Sequence, residues 1–442
     1  MITRIEIDGF KTFEKFALDL RPFVAIVGPN ASGKSNLFDA LRFLSLLAQQ
    51  DIPSAMAGLR GEPGEVFRRT IAGGANSMRF AVEVLLVGKG TDPFGTPYET
   101  PSRRLRYELR LDLTIGPGGV AQAVSVGHEA CDPIRKKNDR ARWLTERLPS
   151  LSYGKSHVGP FIKPIQDGAA LELRQDGPHK SGRPRKLPLH GASRTALSTV
   201  TTAEFPHLCA LRDLLVAIRF LEIDPAAARA ANDRLAQSVL LPDASNLAAV
   251  LSHLRRRTAS ADRPDGVLAD IGAALASLVP SVRGLVLHDD PGQARIGFAL
   301  KLDSDMEFSS RVISDGTLRL LALLTMLHDP AQRGVLCFEE PENGVHEGLI
   351  PALVERLRAA TDVGEAFQVL LATHSPAVMA ALRDDELVVA DNVIGIDSQP
   401  GLRSVRTRMR IGVGSQPDLF DPEHMLTREE VERLLRAPGR AA

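Results

Sequence analysis

The sequence predicts a mixed α/β fold built around an anion-binding loop, and three observations predict it. The first is Gly28-Pro29-Asn30-Ala31-Ser32-Gly33-Lys34-Ser35, which fits the pattern G-x-x-x-x-G-K-[ST]. An apolar β-branched run, residues 23–27, precedes it, and residues 37–44 repeat apolar side chains at helical spacing after it. The second is a pair of later apolar runs that end in polar groups: residues 335–338 lead into Glu339-Glu340, and residues 367–372 lead into Thr373-His374. The third is the strict alternation of apolar and polar residues over 104–114, the mark of a half-buried antiparallel strand.

The loop carries the most chemistry. Its glycines let backbone N–H groups curl around an anion, and the N-terminus of the following helix adds partial positive charge. Lys34 is placed to reach the β- and γ-phosphates of a nucleotide, and the Ser35 hydroxyl to ligate Mg²⁺. The N-terminal residues 2–10 and 16–20 read as strands joined by Lys11-Thr12-Phe13-Glu14, and 78–87 as a further strand. Between about 117 and 198 prolines, glycines and basic residues dominate and periodicity fades, which reads as an insertion. It holds two basic clusters, Arg135, Lys136, Lys137, Arg140, Arg142 and Lys180, Arg183, Arg185, Lys186, with Trp143 and Tyr153 between them. That composition suits either a nucleic-acid backbone or a solvated loop. Helical spacing returns over 207–220, 245–256 and 267–278, followed by strands at 282–287 and 294–302.

In the C-terminal part, Ser314-Asp315-Gly316-Thr317 opens an apolar helix over 318–327, so small hydrogen-bonding residues stand at a helix N-terminus that favours an anion. The strand ending in Glu339 and Glu340 can present Glu339 to Mg²⁺ and Glu340 to an attacking water. Residues 386–390 and 402–405 suggest edge strands, and 428–435 a last helix. The organisation expected is a lobe over 1–116, a basic insertion over 117–198, a helical subdomain over 199–280 and a second lobe over 281–442.

Composition narrows the class. Apolar residues make up 44% of 442 positions, enough for real cores, and 54 basic residues balance 54 acidic ones, so any polyanion contact is a local patch. Cys131, Cys209 and Cys337 are widely spaced and lack metal-ligand spacing, which suits buried thiols in a reduced compartment. Residues 1–7 alternate like a strand rather than a signal peptide, and no apolar run approaches membrane-spanning length, so a cytoplasmic protein without membrane contact is expected.

Gly9-Phe10-Lys11-Thr12-Phe13, together with the loop through Asn36, resembles the N-terminal lobe of the ABC-type ATPase heads of the SMC-like group. The resemblance implies a P-loop fold with a mixed central sheet and an antiparallel outer sheet, closing around ATP and Mg²⁺ into a homodimer or larger assembly. It makes Lys11 a candidate for nucleotide contact; a solvated turn lysine is the alternative. Ser314, Asp315 and Gly316 resemble the ABC signature, with Asp315 where glycine is frequent, and Glu339 resembles the Walker B acid, where aspartate is commoner. Asn343-Gly344-Val345-His346 resembles the loop that crosses the dimer interface, with His346 structural or interfacial, and Thr373-His374-Ser375-Pro376 the switch-histidine segment. With Asp243-Ala244-Ser245-Asn246-Leu247, these motifs are most similar to bacterial phage-defence ATPases of the overcoming-lysogenization-defect type, whose nuclease domain the segment after His374 is too short to supply. The resemblance therefore implies a partner effector, with a nuclease as the candidate. A DNA repair clamp using the basic insertion is the main alternative. A transporter subunit fits less well, because Gln49 and Gln50 make no convincing glutamine loop.

Overall fold

The computed structural model describes residues 1–70, 73–117, 121–155, 158–177, 184–290, 292, 294–303, 306–363, 367–396, 403–411 and 428–436. The chain forms two compact units, residues 1–218 with 364–368 and 384–442, and residues 219–363 with 369–383.

The first unit is organised by an eight-stranded antiparallel sheet. Its strands run in the order Arg185–Pro188, Ala170–Leu173, Ile162–Ile165, Ala121–Pro133, Arg104–Ile115, Ser77–Leu85, Ile2–Asp8 and Phe16–Asp19. In the same unit Phe23–Val27 lies parallel to Leu387–Ile396, which pairs antiparallel with Arg403–Ile411. The loop helix, Lys34–Leu47, buries Leu37, Phe38, Leu41, Phe43, Leu44 and Leu47. Phe43 meets Phe10 and Phe80 at ring-centroid distances of 6.0 and 5.9 Å, and these three rings lock the helix to the sheet.

Residues 117–198 are the largest departure from expectation. Rather than a loop-like insertion, they supply four of the eight strands. The longest, Ala121–Pro133, escapes a period-2 reading for a local reason: its register against Arg104–Ile115 shifts between Val126 and His128, so the inward parity changes mid-strand. Past the shift, the fully buried Glu129 accepts from the backbone N–H groups of Ala196 (2.6 Å) and Leu197 (2.9 Å) and from the Tyr107 hydroxyl (3.0 Å). Burial nevertheless pushes its carboxyl above the usual range. The aromatics between the basic clusters are structural. Trp143 packs against Met1, Leu85, Ala141 and Leu144, and the Tyr153 hydroxyl donates to Asp139. Lys136, Lys137, Arg140 and Arg142 are exposed, whereas Lys180 and Arg183 lie outside the described residues.

Elsewhere boundaries moved slightly. The helix expected over 207–220 spans Pro206–Val216 and gives way to a strand, Ile218–Leu221. The C-terminal strands run longer than expected, and the last helix is Arg428–Arg436. Cys131, Cys209 and Cys337 are buried free thiols.

The second unit holds the helices Leu247–Thr258, Val267–Leu278, Asp315–Leu327 and Ile350–Asp362. A small antiparallel sheet orders Asn232–Asp233, Arg295–Leu302 and Val282–Asp290, with Glu307–Ser309 also on Arg295–Leu302. The buried strand Gly334–Glu339 carries the paired glutamates, and the chain leaves Phe367–Thr373 at His374.

Candidate functional site

The first unit builds the glycine loop from backbone constraints. Gly33 takes φ 92° at the cap of the loop helix, a conformation that suits glycine. A Cβ there would lie 2.0 Å from Thr407 Oγ1, and one at Gly28 would lie 2.3 Å from the Ala390 carbonyl, so both strands behind the loop demand glycine. Asn392 donates to the Ala31 carbonyl (2.8 Å), and Asn36 to Thr12 Oγ1 (2.8 Å), which in turn shares a hydrogen bond with Thr407 Oγ1 (2.6 Å). The Lys34 ammonium donates to the carbonyls of Gly28 (2.7 Å) and Pro29 (2.8 Å), so it lies across the mouth of its own loop. Ser32 is buried with its hydroxyl unpartnered. An orphaned hydroxyl, a glycine cradle and an ammonium at a helix N-terminus fit the phosphates of a nucleotide. Asn30 is exposed, and Ser35 and Asn36 are half-buried on the first helical turn.

Replacing Gly33 by alanine should lower ATP affinity by about tenfold or more, since a left-handed non-glycine residue costs about 1–2 kcal/mol before the clash is counted. Equilibrium nucleotide titration checks this, and Thr407→Ala in the same chain should restore part of the loss by removing the clash.

Lys11 is neither a solvated turn residue nor directed at the loop. Its ammonium donates to Asp39 Oδ2 (2.6 Å) and to the Arg60 carbonyl (3.3 Å). Asp39 is a buried carboxylate among the apolar residues of the loop helix, and that incongruity was the sequence signal for it. Sequence reasoning did not single it out.

The second unit gathers the remaining candidates. Ser314 caps the helix Asp315–Leu327 by accepting from the Thr317 N–H (3.3 Å). Asp315 accepts from Arg229 Nη2 (2.6 Å), which also donates to the Ile313 carbonyl (2.8 Å), so the aspartate is tied sideways and the turn is braced. A Cβ on Gly316 would lie 1.8 Å from the Gly344 carbonyl, and Gly344 itself has φ 75°. The two backbones touch there, which only a glycine pair permits.

Glu340 stands at φ 50°, an uncommon conformation for a non-glycine residue. Its N–H donates to the Ala372 carbonyl (2.8 Å) and its carbonyl accepts from the Asn343 N–H (3.0 Å), and these bonds hold the strained turn. One carboxylate oxygen accepts from Asn343 Nδ2 (2.5 Å), and the other lies 3.4 Å from His374 Nδ1. Glu340 and His374, 34 positions apart, thus share one cluster while both stay substantially exposed. Behind them the buried Thr373 hydroxyl donates to Glu342 Oε1 (2.6 Å) and accepts from the Ser375 N–H (2.9 Å), which links the glutamate turn to the histidine segment. Asn343, Glu342 and Thr373 had no role in the sequence reading, although their motifs were in view. His346 Nδ1 accepts from the Gly348 N–H (3.1 Å), a structural role.

A glycine loop shaped for phosphate, and a buried strand followed by a strained glutamate beside a histidine, are the marks of a P-loop ATPase. The chain matches, over residues 23–380, the family described as "AAA domain, putative AbiEii toxin, Type IV TA system", and it belongs to that family. It is 52% identical over 44 residues to the chromosome partition protein Smc of Methanocaldococcus jannaschii, covering 10% of this chain and 4% of that protein. Over 152 residues it is 25% identical to the DNA replication and repair protein RecF of Rhodococcus erythropolis, 34% of each. The matches therefore span about a third or less of these relatives' lengths. Among solved structures, an Smc head bound to the C-winged helix domain of ScpA aligns at 13% identity and a TM-score of 0.48, covering 92% of this chain and 97% of that one. The SMC head domain from Thermotoga maritima aligns at 12% and 0.40, covering 92% and 98%. Among the described residues no helix is long and apolar enough to cross a membrane.

Proposed function

We propose that the chain hydrolyses ATP in a homodimer closed around the nucleotide and uses closure to switch a partner effector in anti-phage defence. The observation that carries the reading is the Glu340–His374 cluster on a strained turn, because it sets a carboxylate and an imidazole side by side where a water is to be activated and phosphate sensed. In this reading Lys34 and the loop N–H groups of residues 30–35 balance phosphate charge. Ser35 and Glu339, both hard oxygen donors, would hold Mg²⁺, which would supply neutralisation of the nucleotide's phosphate charge. Glu340 orients and deprotonates the attacking water, Asn343 keeps its carboxylate aimed, and the His374 imidazole donates a hydrogen bond that is lost when the γ-phosphate departs. Ser314, Asp315 and Gly316 are assigned to the nucleotide of the opposite subunit, and Lys11 to the loop helix through Asp39.

The defence role rests on the resemblance of the motifs to phage-defence ATPases and on the family's description, which names a toxin of a toxin–antitoxin system. Balanced net charge and two aromatics committed to packing and a partly buried hydrogen bond weigh against a DNA clamp as the primary use. The deciding experiment is the solution mass of Glu340→Gln by light scattering. An ATP·Mg²⁺-dependent doubling that ADP does not produce is expected. A mass that stays monomeric in ATP refutes the shared-site dimer.

A further inference from the structure

The outward face of the eight-stranded sheet carries three rows of cross-strand neighbours. In one row Asp19, Arg4, Glu83, Arg106 and Asp132 alternate in sign. In the middle row Ala17, Glu6, Ala81, Glu108 and Ala130 follow one another, so every second position is a methyl group. The third row runs Asp8, Arg79, Arg110 and His128. The short alanines at 17 and 81 leave a groove of about 370 Å³ whose walls are charged, a volume within the range of small-molecule sites.

The charges of this groove do not balance locally. Of its three acids, Glu6, Asp8 and Glu108, the two glutamates are both taken by Arg106, at 2.6 Å each, which leaves Asp8 against Lys15, Arg79 and Arg110. The Arg106 hydrogen bond, against burial, holds the Glu6 carboxyl down at about 2, so that pair is fully ionised and committed. The third row sets Asp8 across from Arg79 on one side but breaks the rule of facing opposite charges on the other. Arg79 stands directly across from Arg110, with His128 beyond, a like-charge arrangement that destabilises a sheet. Arg110 Nε lies 3.0 Å from Asp112, and its Nη2 donates to the Gly127 carbonyl (3.1 Å). Asp8 accepts from the Lys15 backbone N–H (2.9 Å). Among the described residues no carboxylate forms a salt bridge with the side chain of Arg79 or Lys15, which both line the groove. A sheet that tolerates two facing arginines beside an alanine floor has a reason to do so if an anion sits between them.

We infer that this groove binds a small phosphate-bearing ligand, its phosphate held by Arg79, Arg110 and Lys15 and its body resting on Ala17 and Ala81. None of the loop residues 28–35 lines it, so this is a second anion site on the first unit. It gives the ATPase an input other than its own nucleotide.

The test is calorimetric titration of inorganic pyrophosphate, without divalent metal and at fixed ionic strength, into the full chain carrying Lys34→Ala to disable the glycine loop. Binding should persist in that variant. Adding Arg79→Ala with Arg110→Ala should weaken it about tenfold or more. Adding instead Ala17→Leu, which keeps every charge and fills the exposed floor, should weaken it to a similar degree. With Lys34 intact, Arg79→Ala/Arg110→Ala should turn over ATP within about twofold of the parent, which reports an intact fold. Loss of binding in Lys34→Ala alone, or equal affinity in all variants, overturns the inference. A 20-base-pair duplex that binds through Arg79 and Arg110 while pyrophosphate does not would also overturn it and assign the face to a nucleic-acid backbone.

Discussion

Glu340→Gln should lower ATP turnover by about 10²–10³-fold while leaving nucleotide affinity within about twofold, because the amide keeps the size and the Asn343 contact but cannot take a proton. The expected split, turnover lost and binding kept, follows from geometry. Glu340 is the carboxylate set outside the line of the buried strand, by a left-handed backbone held through Ala372 and Asn343. His374→Ala should cost about 10–100-fold in turnover, and the two together should cost much less than the product of the single effects, because the groups act as one cluster. Phosphate release under saturating ATP checks all three. A Glu340→Gln enzyme that turns over normally would return the pair to a hydrated surface contact and remove the basis of the proposed mechanism.

The second large effect concerns stability. Arg104 is fully buried, and its guanidinium donates to Asp139 through Nε (2.7 Å) and Nη2 (2.8 Å) and to Thr3 Oγ1 through Nη1 (2.9 Å). Asp139 also accepts from the Ala141 N–H (3.0 Å) and the Tyr153 hydroxyl (3.0 Å), so one carboxylate staples the segment bearing Trp143 to the sheet. Burial works against its ionisation, but the Arg104 hydrogen bonds and charge outweigh it and hold the carboxyl below the usual range. A depressed carboxyl contributes stability that is present above its unfolded pKa and lost as pH falls through the folded one, so the staple should fail only below about pH 4.

Asp139→Ala leaves the buried guanidinium with only the more distant Glu83 carboxylate, 3.8 Å from Nη2, as counter-charge and should destabilise this region by about 3 kcal/mol. Replacing both partners, Arg104→Met with Asp139→Leu, should recover most of that loss, since an apolar pair of similar volume avoids the desolvation cost. The chain's single tryptophan, Trp143, lies on the stapled segment and packs on Met1, Leu85, Ala141 and Leu144. Its fluorescence during urea unfolding reads the effect locally. Equal destabilisation in the single and double variants would show that the segment is held by packing rather than by the ion pair.

What could be read from the sequence was chemistry confined to short runs. The glycine loop, the capped helix at Ser314, the paired glutamates and Thr373-His374 each carry their meaning within about ten residues, because backbone conformation and helix ends are local properties. The amino-acid sequence alone therefore determined the α/β class, the phosphate-binding loop and which residues are candidates for catalysis. The partners of those residues were set by contacts distant in sequence. Lys11 was drawn to Asp39, Asp315 to Arg229, and Glu340 to His374. The strand Ala121–Pro133 was hidden because a register shift changes which parity faces inward, and the groove over Ala17 and Ala81 emerges only when strands more than 60 residues apart lie in register. Periodicity records which way a side chain points along its own strand, whereas the neighbour across the sheet is chosen by the pairing of distant segments. Only the tertiary structure decided where charges balance and where they do not.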